Sequence, residues 1–168
     1  MKRLVSILAV AAACASCAND DPVAAQLPFN EVGATGSDFV ELYNTSGAPL
    51  AVAGYAVTDS RTDGFPRISS AIRIPAGTTV PANGYLVVLF EGECPTAGAG
   101  FVCVRGTAGG VSQTRGDTVH LLDPENQVVA SVTVPPEAAP SGWTWGRFPN
   151  GTGAFKATRR TPGAINRE

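Results

Sequence analysis

The sequence predicts one all-β domain, an antiparallel sandwich or barrel, behind a short N-terminal leader. Short runs of β-branched and aromatic residues recur along the chain at the close spacing that is typical of such folds. The 19 glycines and 13 prolines supply the turns that many short strands need. Beyond the leader no stretch shows helical periodicity with capping residues, and the 44% of hydrophobic residues argues against disorder.

About seven to nine strands can be assigned in chain order. Residues 85–90 (YLVVLF) are apolar on both faces, which predicts a central strand that is covered on both sides. Residues 118–122 and 128–134 flank a turn-rich segment and predict a hairpin. The predicted strands cover residues 29–32, 38–44, 55–59, 72–74, 78–80, 85–90, 118–122, 128–134 and 143–148.

The leader has the layout of a secretory signal. Lys2 and Arg3 precede an uncharged run, residues 4–13, that is too short to span a bilayer as a helix. The run ends at Cys14, and a second cysteine follows at Cys17. This order resembles a bacterial lipoprotein signal, in which the residues before the cysteine are removed and the new N-terminal cysteine carries lipid.

Cys14 is the favoured lipidation site because it follows small residues, although Leu is more typical three positions before the cysteine. Cys17 is the alternative, since it would allow a longer apolar run but follows a less typical triplet. An ordinary signal peptide that is cut nearby is the other interpretation. The resulting division is a lipoprotein-type signal peptide at 1–13, a tether at 14–26 and a folded domain at 27–166.

Composition limits the partners of the domain. Charged residues make up 15% of the chain and the net charge is −2, which becomes more negative once Lys2 and Arg3 leave with the signal. A mildly acidic domain has no bulk attraction for nucleic acid, so no nucleic-acid partner is expected. The mature length is that of one domain with a core of its own.

Cys94 and Cys103 predict a structural disulfide. In an exported protein an even pair of cysteines forms a bridge, and this one would close a small loop between two strand-like runs. Loop-closure entropy gives about 2–3 kcal/mol of stabilisation. A metal site or a reactive thiol is the alternative, but the neighbouring sequence has no further ligand for it.

Seven motifs in a fixed order resemble the lamin-tail domain family, of the bacterial exported lipoprotein type. Each motif is weakly specific, but together they span residues 27–166, essentially the whole mature domain. They are FNEV at 29–32, SDFVELYN at 37–44, LAVAGY at 50–55 with Asp59, IPAGTTVPANGYLVV at 74–88, GDTVHL at 116–121, WGRFPNGTG at 145–153 and TPGAIN at 161–166.

The resemblance implies an immunoglobulin-like antiparallel β-sandwich that contacts other proteins. Bacterial relatives are exported; some are joined to nucleases, phosphatases or other hydrolases, and others stand alone. The chain departs from the family pattern mainly in the insertion between Cys94 and Cys103. Asn44, at a predicted strand end, is expected to bond turn amides with its side chain.

The sequence offers little for catalysis or metal binding. His120 is the only histidine and lies in the middle of a predicted strand. The sequence contains no nucleophile elbow whose serine it could activate. Asp59 and Asp63 are the best oxygen ligands for a cation, but Arg61 lies between them and the spacing misses the calcium-loop pattern. A polar loop is the simpler interpretation, and no cofactor, metal or catalytic residue is expected.

Trp143, Trp145 and Arg147 are the candidate binding residues. The two tryptophans share one face of a strand. If that face is outward, it could stack on sugars or anchor a protein partner; a half-buried position in the core is favoured. The C-terminal stretch is locally basic, which usually marks a solvated surface but could attract an acidic partner or lipid headgroup.

The sequence therefore predicts a non-enzymatic, lipid-anchored interaction or scaffold module of the bacterial cell envelope. Its lipid would hold it at a membrane, either facing the periplasm or at the outer membrane or cell surface, and its loops would bind an envelope protein. A glycan-binding or adhesion module is the first alternative. An accessory to an exported hydrolase is the second.

Overall fold

The computed structural model describes residues 21–95, 100–107 and 109–168. Within these residues it has twelve strands and one short 3₁₀ helix, Ile68–Ser70, which confirms the all-β fold. The strands are β1 (Phe29–Gly33), β2 (Phe39–Tyr43), β3 (Leu50–Ala51), β4 (Ala56–Thr58), β5 (Ile72–Arg73), β6 (Thr79–Val80), β7 (Tyr85–Leu89), β8 (Phe101–Arg105), β9 (Asp117–Leu122), β10 (Val128–Val134), β11 (Trp143–Phe148) and β12 (Ala154–Arg159).

The predicted signal peptide, with Cys14 and Cys17, lies outside the described residues. In the described part of the chain, no helix combines the length and the apolar character that crossing a bilayer requires.

The strands form two facing sheets and one short pair. The larger sheet has the order β12-β11-β1-β2-β7-β8, the smaller has the order β10-β9-β4-β5, and β3 pairs with β6. The predicted hairpin of β9 and β10 is confirmed. Strand pairs are antiparallel except β7 and β8, which run parallel with Tyr85 opposite Phe101. The architecture is the expected immunoglobulin-like sandwich with one parallel edge strand added.

The main hydrophobic core fills the space between the two sheets. Alternation along β2 places Val40 and Leu42 in this core, while Phe39 belongs to the opposite surface of the sheet. Val119 and Leu121 of β9 close the core from the smaller sheet. Each such aliphatic side chain, once fully buried, contributes about 1.5–3 kcal/mol relative to an exposed one.

A second, smaller apolar cluster lies on the outer face of the larger sheet. Its members are Phe39, Val87, Leu89, Cys94, Phe101 and Cys103. Strand β7 is therefore covered on both faces, as its sequence predicts. The predicted disulfide between Cys94 and Cys103 is confirmed, with 5.9 Å between the two Cα atoms, and it fixes β8 beside β7.

Three strands were not among those predicted, and two of them form the edges of the larger sheet. Strand β8 begins inside the cysteine insertion and contains Cys103, whereas the sequence indicated the segment up to Cys103 only as a loop. Strand β12 is mostly half-exposed and its side chains do not alternate clearly between apolar and polar. Edge strands bury less apolar surface, so their pattern is weak. Strand β3 has only two residues.

Residues 160–168, named the strap here, leave β12 and cross the outer face of the larger sheet. The N–H groups of Thr161 and Gly163 donate to carboxylates of the sheet beneath. The strap then returns to β12, where the N–H of Arg159 donates to the carbonyl of Arg167, with 2.8 Å between nitrogen and oxygen. It therefore covers part of the sheet face and part of its β12 edge.

Candidate functional site

An open groove of about 820 Å³ lies at one end of the sandwich. It forms where β2 and β9 begin and where β4 and β10 end, with residues 109–116 along one wall. Its charged lining residues are Asp38, Asp59, Arg61, Arg67, Arg115 and Asp117. Both signs of charge are present, so the groove suits a mixed polar surface better than a polyanion or a polycation.

The loop from Asp59 to Ile72 projects beside this groove. A bridge between Ser60 and Pro66 closes its base, and at its tip the Gly64 N–H donates to the Arg61 carbonyl, 2.9 Å between nitrogen and oxygen. Gly64 has a φ of +84°, which a side chain would strain. The turn is therefore built into the local sequence.

Phe65 and Ile68 are the large, exposed hydrophobic side chains of this loop. Phe65 is 68% exposed and Ile68 is 50% exposed. Among the described residues only Phe148 and Ile165 are also large, hydrophobic and exposed, and the ammonium of Lys156 lies 4.7 Å from the ring centroid of Phe148. Within the described residues, Phe65 and Ile68 are therefore the one pair of large, exposed hydrophobic side chains that lie on the same loop.

The two predicted cation ligands are each held by an arginine. Asp59 lies 3.3 Å from the Arg67 guanidinium, and Asp63 lies 2.9 Å from that of Arg61. Burial raises the pKa of Asp59, while Arg67 opposes the rise. No cluster of three or more histidine, cysteine or acidic side chains suited to a metal occurs within the described ranges. The arrangement is that of an ion-paired loop.

Two further aspartates fix the groove walls through backbone bonds. Asp38 Oδ2 accepts the Val111 N–H at 2.8 Å, which ties the 109–116 wall to the start of β2. Asp117 Oδ1 accepts the N–H of Thr118 at 2.8 Å. Burial is the main cause of the raised pKa of Asp38. These carboxylates therefore hold the backbone of the groove walls in place and also give the groove negative charge.

His120 bridges neighbouring strands. Its Nε2 lies 2.9 Å from Ser60 Oγ and its Nδ1 lies 2.8 Å from Ser131 Oγ. Ser60 Oγ donates to the carbonyl of Thr118, so it accepts from Nε2–H of the imidazole, and Ser131 donates to Nδ1. Burial lowers the pKa of His120 and favours this neutral ring. The histidine therefore donates to Ser60 and is not placed to take its proton.

Trp143 and Trp145 lie on β11, and Trp145 packs against the main hydrophobic core. Both are half-buried, and each ring already has a partner from its own chain. The Arg159 guanidinium lies 4.3 Å from the centroid of Trp143, and Phe155 stacks beside Trp145 at 6.2 Å. Arg147 lies 4.5 Å over Phe155. The structure thus brings the predicted binding residues together as a packed ladder.

The groove and the N-terminal side of the domain are at opposite ends of the sandwich. Asp38 lines the groove, whereas Thr45, just past the far end of β2, donates its N–H to the carbonyl of Gln26 at 2.9 Å. Tyr55, which precedes β4, donates its hydroxyl to Asp21 at 2.9 Å. Strand β4 then leads away from Tyr55 to the groove.

A comparison with protein families identifies the domain. The model of the lamin tail domain matches residues 21–136, more than two thirds of the chain. The chain belongs to the lamin tail domain family. No curated protein matches it. The family match ends after β10, but in this lamin tail domain β11 pairs with β1 and β12 adds to β11 in the larger sheet, so the folded unit continues beyond residue 136.

Membership of the lamin tail domain family indicates an immunoglobulin-like protein-interaction module of a non-enzymatic kind. In this lamin tail domain, sequence reasoning missed the exposed pair Phe65 and Ile68. The available signal was two large apolar residues inside a polar, glycine-containing loop, where nothing periodic requires them. Sequence reasoning also missed that Glu31 and Glu41 are buried, because acidic residues in strands usually face water.

Proposed function

We propose that this lamin tail domain is a non-enzymatic interaction module of the bacterial cell envelope, anchored by a lipid on Cys14, that binds a protein through its groove end. The observation that carries the proposal is the exposed pair Phe65 and Ile68 on the loop beside the groove. An aromatic and an aliphatic side chain next to a mixed-charge rim have the composition of a protein-binding patch.

The chemistry of the groove favours a protein over the other partners considered. Arg61 and Arg67 are each paired with an aspartate, so they offer little net positive charge to a polyanion. Phe65 at the loop tip offers apolar surface that a folded partner can bury. The paired charges on the rim of the groove can set the orientation of that partner. A nucleic-acid partner is therefore not proposed.

The orientation of the domain is consistent with this use. The described residues nearest the predicted lipid contact the end of the sandwich that carries Tyr55 and Thr45. The groove and the loop tip are at the other end. A domain anchored through its N-terminus would present Phe65 away from the bilayer, where a partner can reach it.

The alternatives lack a comparable observation. A sugar ring would need a free aromatic face, but Arg159 already occupies one face of Trp143, and Trp145 is half-buried beside Phe155. The hydroxyl of Ser60 is bonded to the Thr118 carbonyl rather than activated by a base. The glycan-binding, adhesion and hydrolase-accessory functions stay as predictions without a site to carry them.

A crosslinking experiment tests the groove end as the docking surface. The full chain is expressed in bacteria with a photoreactive phenylalanine at position 65 or, as control, at Ile165, which is 58% exposed on the strap. We expect a discrete protein adduct from position 65 only. With the purified partner, Phe65→Ser combined with Ile68→Ser should weaken binding by about tenfold or more, because truncated anchors commonly cost over 1 kcal/mol each.

Ile165→Ser is the matched variant for the binding measurement, since it removes an equally exposed apolar side chain elsewhere. Its affinity should stay within about twofold of the wild type. Equal adducts from positions 65 and 165, or equal losses of affinity in both variants, would refute docking at the groove end. Adducts that contain polysaccharide and no protein would favour the glycan alternative.

Lipid anchoring is tested separately by replacing each candidate cysteine. In Cys14→Ser we expect no diacylglyceryl group and an uncut signal, seen as a larger mass with the leader still attached, because the acceptor thiol is gone. Cys17→Ser should be lipidated and cut as the wild type is. Mass spectrometry of the mature N-terminus should find diacylglyceryl cysteine at position 14; a soluble wild type with an unmodified N-terminus would contradict the anchor.

A further inference from the structure

Two glutamates that are fully buried lie side by side under the strap. Glu31 of β1 and Glu41 of β2 are directly opposite each other in the strand register, and both are 0% exposed. They occupy the outer face of the larger sheet, not the core between the sheets. Two carboxyl groups that are buried side by side, away from water, cannot both ionise without a large cost in free energy.

The strap supplies much of what holds these carboxylates. Thr161 donates its N–H to Glu31 Oε1 and its hydroxyl to Glu31 Oε2, each at 2.9 Å. Gly163 donates its N–H to Glu41 Oε2 at 2.6 Å. The side-chain amide of Asn166 anchors the strap to the carbonyl of Asn30 at 3.1 Å. The hydrogen bonds that hold the strap closed are therefore made to the two carboxyl groups that can gain or lose a proton.

The sheet supplies the remaining donors. Thr144 donates its hydroxyl to Glu31 Oε1 at 2.7 Å, and Asn30 donates its side-chain N–H to Glu41 Oε1 at 2.8 Å. Asn30 cannot reverse its amide, because its Oδ1 accepts the Gly151 N–H at 2.8 Å. Every oxygen of the pair therefore accepts a hydrogen bond, and the closed strap completes the set.

Positive charge around the pair is scarce. The elements that pack against it bring Arg160 from the strap, Tyr85 from β7 and Tyr43 from β2 as charged or titratable groups. Arg160 directs its guanidinium to the carbonyls of Thr35 and Ser37 and contacts neither carboxylate. Burial raises the pKa of Tyr85 to about 12, so this phenol stays neutral. The charge of Arg160 opposes the rise in the pKa of Glu31, but one arginine without an ion pair to either carboxylate does not neutralise two buried glutamates.

We propose that the strap is a latch controlled by one proton: it stays closed while Glu31 and Glu41 hold a proton between them, and it lifts when both are ionised. Burial raises the pKa of Glu31, and burial followed by the charge of Glu31 raises the pKa of Glu41 well above its usual range. The proton therefore resides mainly on Glu41, while Glu31 keeps the donors that suit a carboxylate.

The sign of the pH dependence follows from this. In the lifted state both carboxyl groups are hydrated and have ordinary glutamate pKa values, whereas in the closed state the pKa of Glu41 is raised. The closed state binds the proton more tightly, so closure is fully favoured below the ordinary pKa and is lost as pH rises through the raised one. Between these two values the opening constant rises about tenfold per pH unit.

Opening has a structural consequence on the same face. A Cβ atom at Gly163 would lie 2.7 Å from Phe101 Cδ1, so the strap backbone rests directly on that ring. Phe101 in turn packs on the small apolar cluster that holds the disulfide. Lifting the strap therefore uncovers an aromatic edge that is otherwise shielded, and the latch switches apolar surface as well as charge.

Amide hydrogen exchange by NMR on the purified chain tests the latch. The protection factors of Thr161 and Gly163, with the intrinsic exchange rate removed, are measured at half-unit steps from pH 4 to 9. We expect them to fall about tenfold per pH unit above the ordinary glutamate pKa and then to level off. Thr78, whose N–H donates to the carbonyl of Pro75 within a turn, is the reference and should show no such fall.

Glu31→Gln is the decisive variant. Its amide can keep the Thr144 and Thr161 N–H bonds on its oxygen and donate to Thr161 Oγ, whose proton turns to Asn166 at 3.0 Å. Without the charge at position 31, the pKa of Glu41 falls, because only burial still raises it. The levelling-off should move to lower pH, and protection at pH 8 should exceed the wild type by about tenfold or more.

Two results would overturn the latch. One is a wild-type protection factor for Gly163 that is flat across the range. The other is a Glu31→Gln profile that coincides with the wild type. Should this variant fail to fold, the carboxyl ¹³C titration of Glu41 in the wild type decides instead: its midpoint must coincide with the pH at which Gly163 protection levels off.

Discussion

Gly153→Ala should destabilise the protein by at least about 3 kcal/mol, a change of more than 100-fold in the unfolding equilibrium. A Cβ atom at this position would lie 2.0 Å from the Phe148 carbonyl carbon and 2.1 Å from its oxygen. Both are backbone atoms and cannot rotate away. The turn between β11 and β12 would have to open, and the bond from Arg147 to the Gly153 carbonyl, 2.7 Å, would be lost with it.

The measurement is urea unfolding followed by tryptophan fluorescence, with Gly47→Ala as the control. Gly47 has nothing within 4 Å of a built Cβ and no left-handed φ. Its replacement should leave stability unchanged or raise it by up to about 1 kcal/mol, since alanine restricts the unfolded chain. A midpoint for Gly153→Ala close to that of Gly47→Ala would show that the turn between β11 and β12 tolerates a side chain, and would contradict the expected clash.

Asn44→Ala should cost about 2–4 kcal/mol, because one buried amide serves two loops. The Asn44 side-chain nitrogen donates to the carbonyls of Ala48 and Pro81, both at 2.9 Å, and to that of Val80 at 3.2 Å. Its oxygen accepts the Ser46 N–H at 2.9 Å, which confirms the turn-bonding role predicted for this residue. Alanine leaves all of these groups without that partner at a position where the side chain is fully buried.

Asn44→Asp separates the lost donor from the lost volume. The aspartate keeps the shape and the acceptor for Ser46, but it directs an oxygen at three carbonyl oxygens. We therefore expect at neutral pH a loss at least as large as for alanine, with partial recovery at acid pH as the carboxyl group protonates and regains a donor. Thermal unfolding at pH 4 and pH 7 measures both effects. An Asn44→Asp protein as stable as the wild type would exclude the amide as the source of stability.

The strands nearest the centre of the sheets were the most predictable from sequence. Strand β7 is apolar on both faces, and the structure covers it on both. The hairpin of β9 and β10 follows from two alternating runs and a turn between them. Strands β7 and β9 bury most of their side chains, so burial dictates their residue types. Strand β10 is an edge strand that buries few side chains, and it was predictable from its alternating valines and the turn before it. The cysteine pair was predictable for a related reason, since spacing and compartment leave few other uses for it.

The edges and the surfaces were less predictable. Strands β8 and β12 bury little, so their composition carries no clear period. The strap adopts no regular structure, and its role depends on glutamates that lie more than a hundred residues earlier in the chain. Phe65 and Ile68 stand out in a polar, glycine-containing loop, but only their exposure shows that they form a surface rather than part of the core.

The groove and the N-terminal residues lie at opposite ends of the domain, and this placement limits how far the groove can be from a membrane. If Cys14 carries lipid, the seven residues from there to Asp21 span at most about 25 Å when fully extended. Strand β2 adds roughly 17 Å between that end of the domain and the groove. The tip of the loop from Asp59 to Ile72 would then stay within roughly 40 Å of the bilayer. Only proteins that come within this distance of the membrane could be bound.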